Sequence, residues 1–390
     1  MGITPKPGKT KLMPPRESVR SLLLGGLFAG AARLIGVPLS GGMAFRKAWA
    51  DEAAPRFQIW GYYPWWLGDA WRARDLSLYD RLKFFEVEID AEGHTGQRHG
   101  WPQGWAGLGE AARARGLPLD VTVTMFSATH FEHVFTSPLR RRQLLIELLR
   151  LAVEAQGIQL DVEIFDRVSA QALSGYRAFC AELRAGLSRQ GGSKSLTAFG
   201  VMGAAVDLYD RAALARLDHI VVQGYDSHHL QSARSGPVAP LRGPYEITWE
   251  STLAHYLKLG APRHKIVFGV PYYGYEWPTD SATVGARTLG KGRETTYAAL
   301  DVRVLPDIRI GARERATRHG LRRDAASGSP YYAYQEPSGG WRQGWFEDEV
   351  SLAAKFEFVK AQRLAGIAVF PVGYDDGAFD GLLRRSFRGK

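Results

Sequence analysis

From Phe57 onward, the hydrophobic positions follow two periods that take turns along the chain. Short apolar runs of strand character recur: FQIWGYY, KFFEVEI, LDVTVTMF, IQLDVEI, LTAFGVM, HIVVQGY, KIVFGVP and GIAVFPV. Between several of them, apolar residues return every three or four positions, as in GLGEAARARG, PLRRRQLLIELLRLAVEAQG, AQALSGYRAFCAELRAGLSRQ, TWESTLAHYLKLG and DEVSLAAKFEFVKAQRLAG, which is the spacing of helices with one buried face. Many of these end on Gly, the usual C-terminal stop. Strand then helix, repeated eight times over about 330 residues, predicts an α/β fold closed as a (β/α)8 barrel; an open doubly wound sheet is the competing arrangement. The seventh and eighth strands are separated by far more chain than the others. Residues 275–346 are rich in Gly, Arg and aromatics and hold strand-like pieces such as TTYAALDV and SPYYAYQ. An inserted small α+β lobe beside the barrel mouth is expected there, because long structureless loops are uncommon in compact domains.

The fourth strand breaks the pattern of a plain core strand. In QGIQLDVEIFD, Gln156 to Asp166, the apolar Ile158, Leu160, Val162 and Ile164 alternate with Gln159, Asp161 and Glu163. Residues two apart share a side, so the polar set projects into the barrel and the apolar set packs under the helices. A buried carboxylate is costly unless paired or employed. Glu163 falls at the C-terminal end of the strand, where barrel active sites are built, with Asp161 one layer deeper. Repulsion and desolvation then raise the pKa of at least one of the two, and a glutamic acid kept protonated near neutrality can act as a general acid. A structural ion network inside the barrel is the alternative reading of these residues.

Composition narrows the setting. The 390 residues are 45% hydrophobic and 12% aromatic, enough for two ordinary domains or one barrel-sized domain. The lone Cys180 excludes an intramolecular disulfide framework and a Cys-rich zinc site, and its helical context reads as a buried structural thiol. The formal charge of +10 is mostly an arginine excess, but its densest runs, LRRRQLL and GLRRDAA, are short. No nucleic-acid partner is expected; weak attraction to acidic cell-surface polymers fits better. Residues 1–50 differ from the rest: a basic, Pro-rich lead, the apolar run SLLLGGLFAGAA, and Ala48-Trp49-Ala50 as a small-x-small cleavage pattern. They read as an export signal cleaved near Ala50 ahead of the barrel in residues 51–390, with an uncleaved membrane anchor as the alternative.

QGIQLDVE resembles the D-G-x-D-x-D-x-E motif on the fourth strand of family 18 glycoside hydrolases, the chitinase-like barrels. The likeness continues in order along residues 57 to 385: WGYYPWW for the first strand, FFEVEIDAEG and the stretch to VTVTMFS for the second and third, as in the spore-cortex and chitobiase-type subgroup. VVQGYDSHH follows for the sixth strand, KIVFGVPYYGYEW for the seventh, and GWFEDEVSLAAKFEFVKAQRLAGIAVFPVGYDD for the last helix and eighth strand. The resemblance implies Glu163 as the acid that protonates the glycosidic oxygen and Asp161 as the carboxylate that orients the substrate's 2-acetamido group. It implies Tyr225 as a hydrogen-bond donor to the acetamido carbonyl and Asp226 as its neighbour lining the cleft. The acetamido oxygen would be the nucleophile.

The departures from the motif bear on substrate and rate. Its first two aspartates fall at Gln156 and Gln159; Gln159 carries no charge, so a proton relay down the strand stops there. The eighth-strand tryptophan appears as Phe370, which stacks on a sugar with less area, and Gln223 stands for a methionine. Tyr63, Tyr273 and Trp277 are the preferred further sugar contacts among the aromatics near strand ends. Glu88 and Asp90 are expected to line the cleft or to satisfy polar groups of the barrel. His228 and His229 have no companion ligands, so no metal and no cofactor are expected. The expected protein is an exported, monomeric glycoside hydrolase acting on a β-linked oligo- or polysaccharide containing N-acetylglucosamine, in association with the cell envelope. The alternatives are a lectin-like barrel without turnover and a hydrolase of a non-acetylated glycan.

Overall fold

The structure is a computed structural model, and it describes residues 56–191, 193–300 and 308–389. The expected export segment, residues 1–50, lies outside the described residues. Among the described residues, no helix is long and apolar enough to cross a membrane.

Seven strands follow the chain from Gln58: β1 Gln58–Pro64, β2 Arg81–Glu88, β3 Leu119–Met125, β4 Gly157–Val162, β5 Ser195–Gly200, β6 His219–Val222 and β7 Ile266–Pro271. An insertion carries β8 Tyr273–Thr279, β9 Arg293–Thr296, β10 Arg322–Arg323, β11 Pro330–Gln335 and β12 Trp341–Trp345; β13, Gly366–Phe370, completes the set. β1 to β7 and β13 close into a parallel barrel in which β13 lies between β7 and β1. The insertion is a five-stranded antiparallel sheet in the order β10-β11-β12-β8-β9. This is the (β/α)8 barrel with a small lobe between its seventh and eighth strands.

The helices are α1 Ala106–Ala114, α2 Ala128–Phe135, α3 Pro138–Leu151, α4 Ala170–Arg189, α5 Arg211–Arg216, α6 Trp249–Leu259, α7 Ala312–His319, α8 Glu349–Ala361 and α9 Asp380–Phe387. Their starts are written in side chains that accept an otherwise orphaned N–H: Ser127, Ser137, Ser169 and Asp210 for α2 to α5, and capping boxes Thr248/Ser251 and Asp348/Ser351 for α6 and α8. Gly260 ends α6 in the left-handed region, φ 95°, where a side chain would be strained. α3 stops at Leu151, six residues before the Gly that closes its sequence pattern. Cys180 is buried in α4, and burial pushes its thiol up to about 12, so it is an inert packing residue.

The barrel interior is polar at its base. Asp120 of β3 is fully buried and accepts from Arg81 (2.6 Å), from Lys83 (3.1 Å) and from Ser195 (3.0 Å). Lys83 also donates to Thr197 (2.9 Å) and sits 4.5 Å above the Trp60 ring. Burial, partly offset by Asp120, lowers the Lys83 pKa to about 8. Gly157 makes this layer fit, since a Cβ there would fall 1.9 Å from Ser195 Oγ. Inward residues of neighbouring strands therefore form a connected floor beneath the fourth-strand carboxylates.

Candidate active site

One layer above the floor, Thr197 donates to Gln159 Oε1 (2.7 Å) and Gln159 Nε2 donates to the Tyr62 hydroxyl (2.5 Å). The amide orientation is dictated from below: Lys83 donates to Thr197, so the threonine proton goes to Gln159 and the amide nitrogen faces β1. Asp161 pairs in register with Thr124 of β3 and is 2% exposed. Glu163 follows the last residue of β4, and its N–H donates to Met125 O (3.0 Å), so it continues the strand by one step at the C-terminal mouth. Asp161 and Glu163 thus stand in successive layers of one strand.

Around them the mouth is lined by rings. Phe370, at the end of β13, touches Tyr62 (5.8 Å between centroids), Phe85 (5.2 Å), Trp66 (6.5 Å), Tyr225 (6.4 Å) and Tyr273 (6.2 Å). Tyr225, just beyond β6, lies against Gly269 of β7, where a Cβ would come within 2.9 Å of its ring. Asp226 has φ 64°, a left-handed backbone that aspartate tolerates better than most residues. Its Oδ1 accepts from both Tyr273 and Tyr275 at 2.8 Å, and Gln223 Nε2 lies 3.5 Å from Oδ2. Burial, then the charge of Asp226, pushes both tyrosines well above their ordinary pKa, so both hydroxyls remain donors.

The structure brings Asp161, Glu163, Tyr225, Asp226, Tyr273 and Phe370 to the mouth, whereas Gln159, expected as a substrate contact, is fully buried one layer below with both amide ends taken by Thr197 and Tyr62. Tyr63 and Trp277 do not reach the mouth either. Tyr63 points outward from β1: its hydroxyl donates to Gly68 O (2.9 Å) and accepts from Trp71 N–H (2.7 Å). The inward residue is Tyr62, which the alternation starting at Trp60 identifies. Trp277 is fully buried, its indole N–H donating to His229 O (3.1 Å), so no ring face is left for a sugar. Tyr275, not singled out from sequence, belongs to the site through Asp226; its position two residues after Tyr273 in β8 was the available signal.

Asp90 holds the turn beyond β2 by accepting from Glu92 and His94 N–H, backbone groups of that turn and not of the barrel interior. Among the described residues, one group brings possible metal donors within 4.8 Å of one another: Glu86, Glu88 and His99. His99 stacks flat on Trp65 (4.2 Å, 2°), and its Nε2 lies 3.0 Å from Glu88 Oε1, an imidazole–carboxylate pair. A separate cavity of about 490 Å³ opens between Trp101, Trp105, α1 and Gln156; none of the mouth residues lines it.

The model of the family described as glycosyl hydrolases family 18 matches residues 126–375. A Bacillus subtilis (strain 168) protein whose name proposes a sporulation-specific glycosylase is 28% identical over 276 residues, 67% of this chain and 58% of that protein. The di-N-acetylchitobiase of Rattus norvegicus is 26% identical over 245 residues, 60% of this chain and 65% of that protein. The chain therefore spans less than two thirds of the length of either relative. Among solved structures, a class V chitinase from Nicotiana tobaccum superposes with a TM-score of 0.72 at 17% identity, covering 85% of this chain and 99% of that one. A chitinase-like agglutinin from Robinia pseudoacacia gives 0.70 at 18% identity, covering 84% and 99%. At these identities the superpositions establish the fold.

Proposed function

The chain belongs to glycosyl hydrolases family 18, and from that premise we propose that it hydrolyses a β-linked glycan containing N-acetylglucosamine with retention at the anomeric carbon. What supports this reading is the succession of two buried carboxylates, Asp161 and Glu163, at the C-terminal end of β4, in a barrel whose β6 and β13 ends carry the packed rings of Tyr225 and Phe370. In the first step the substrate's acetamido oxygen bonds to C1 while the C1–O glycosidic bond breaks. The leaving oxygen takes the proton of Glu163. Asp161 and Tyr225 hold the acetamido group, and the carboxylate stabilises the positive oxazolinium ion that results. Water then attacks C1, gives a proton back to Glu163, and releases the sugar with its acetamido group restored. Phe370, ringed by five aromatic neighbours, offers the apolar floor for the reacting sugar.

Release of chromophore from nitrophenyl glycosides of N-acetylglucosamine oligomers tests the proposal. Wild type is expected to turn over and Glu163→Gln to lose at least about 1,000-fold, the scale of losing a proton donor, with the melting temperature unchanged. A wild type that binds these oligomers and never cleaves them would replace it by the lectin-like reading. That second reading draws on the neutral Gln159 under Asp161 and on the agglutinin that shares this fold. Export with removal of residues 1–50 is part of the proposed setting, and N-terminal sequencing of the secreted protein tests it.

A further inference from the structure

β8 leaves the barrel one residue after β7 ends, and three residues on one of its faces reach back to the loop that follows β6. Tyr273 and Tyr275 donate to Asp226 Oδ1, and Trp277 Nε1 donates to His229 O. Their rings form a ladder that continues to the site: Tyr225–Tyr273 5.7 Å, Tyr273–Tyr275 5.5 Å, Tyr275–Trp277 5.8 Å. On the opposite face Gly274 lets the lobe press close, since a Cβ there would fall 2.1 Å from Trp345 O.

We propose that the first strand of the inserted lobe is a splint for the sixth-strand loop, and that Tyr273 and Tyr275 are positioning residues for Asp226 and, through it, for Tyr225. This rests on the hydrolase reading above. Two hydroxyl donors on one oxygen block rotation of the Asp226 carboxylate about Cβ–Cγ. They also hold a residue whose backbone sits in the left-handed region, φ 64°, which a side chain other than glycine adopts only at a cost. Tyr225 is the preceding residue and packs on the Tyr273 ring, so its hydroxyl direction is set by the same contact. The lobe is on this account part of the catalytic apparatus, and Tyr275 acts on the reaction without meeting the substrate.

A mutant cycle tests it. Tyr275→Phe and Tyr273→Phe are each made in the wild-type background and with Asp226→Gly, glycine being chosen because φ 64° would strain alanine. Each cycle is read on kcat/KM with a nitrophenyl glycoside, and on the dissociation constant of N-acetylglucosamine tetramer in a Glu163→Gln background. The expected result is a loss of about 10-fold for Tyr275→Phe beside Asp226, the scale of one hydrogen bond to a charged group, shrinking to less than about 2-fold beside Gly. Tyr332→Phe is the structural control. It removes a buried lobe hydroxyl bound to Glu276 and should leave kcat/KM unchanged. Equal losses in both Asp226 backgrounds, or an equal loss in Tyr332→Phe, overturn the splint and leave the hydrolase reading intact. A wild type that neither cleaves nor binds the oligomers overturns the hydrolase reading and the splint with it.

Discussion

Glu276 is the point at which the lobe is most open to attack. Its side chain is fully buried in β8 and meets four partners: Arg293 at 2.5 Å, Arg315 at 3.6 Å, and the hydroxyls of Tyr332 at 2.7 Å and Tyr334 at 3.3 Å. These partners come from β9, α7 and β11, so one carboxylate ties three elements to the strand that carries Tyr273 and Tyr275. In Glu276→Ala, Arg293 loses little, because its side chain is 40% exposed and can be rehydrated. Arg315, 16% exposed, is left as a largely desolvated cation, and Tyr332 as a buried hydroxyl without its acceptor. Breaking a buried pair costs about 3–5 kcal/mol, and the orphaned hydroxyl adds to the upper part of that range. With an unfolding entropy of about 2.1 cal/mol/K per residue, a loss of about 4 kcal/mol lowers the melting temperature by about 6 °C if barrel and lobe unfold together. If the lobe melts alone, the smaller entropy of about 70 residues spreads the same loss into an early transition about 25 °C lower. Differential scanning calorimetry separates the two outcomes, and Glu276→Gln should lie between the alanine variant and wild type. A single transition within about 1 °C of wild type would refute the reasoning.

Gln159→Leu removes an acceptor from Thr197 and a donor from Tyr62 in a site with no exposed surface; a loss of about 2–4 kcal/mol is expected from the orphaned hydroxyls, read as a lower urea midpoint at unchanged slope. His219 is lowered to about 4 by burial first and then by the charge of Lys83, with Asp218 opposing and Arg81 and Lys265 reinforcing, and its ring meets the edge of Trp60. The unfolded chain takes up a proton as pH falls through about 6.5 while the folded one stays neutral down to about 4, so stability declines across that window by up to about 3 kcal/mol. Urea midpoints measured from pH 7 to pH 4.5 should fall more steeply for wild type than for His219→Asn; parallel curves would contradict the assignment.

What could be read in the chain follows the range over which each physical signal acts. The barrel was legible because strand and helix periods, with Ser, Asp and Thr at helix starts, are local. The lobe was legible as excess length, and Asp161 and Glu163 as charges on a core strand. Tyr63 was misread for Tyr62 because YY gives no parity by itself; only counting from the inward Trp60 decides it. Trp277 was misread because its burial depends on the loop around His229, nearly fifty positions away. The Tyr275–Asp226 bond has the same span and no local trace. Gln159 looked like a gap in a relay, and its partners Tyr62 and Thr197 come from strands far apart in the chain.

Those partners give the amide a reason. Along the barrel axis the base holds two cations, Arg81 and Lys83, against the single anion Asp120. The mouth holds Asp161 and Glu163, and Gln159 with Tyr62 and Thr197 forms an uncharged layer between. Residues two apart on a strand are about 7 Å apart. A carboxylate at 159 would therefore repel Asp161 by about 2 kcal/mol at an effective dielectric of about 20 whenever both were ionised. It would also draw the Lys83–Thr197 donors into charge pairing with it and loosen their hold on Asp120. The neutral amide keeps one accepting and one donating contact in that layer without adding a charge beneath Asp161. Loss of the second aspartate is then compatible with an active pair above it, because the column below is closed by hydrogen bonds that need no proton to move.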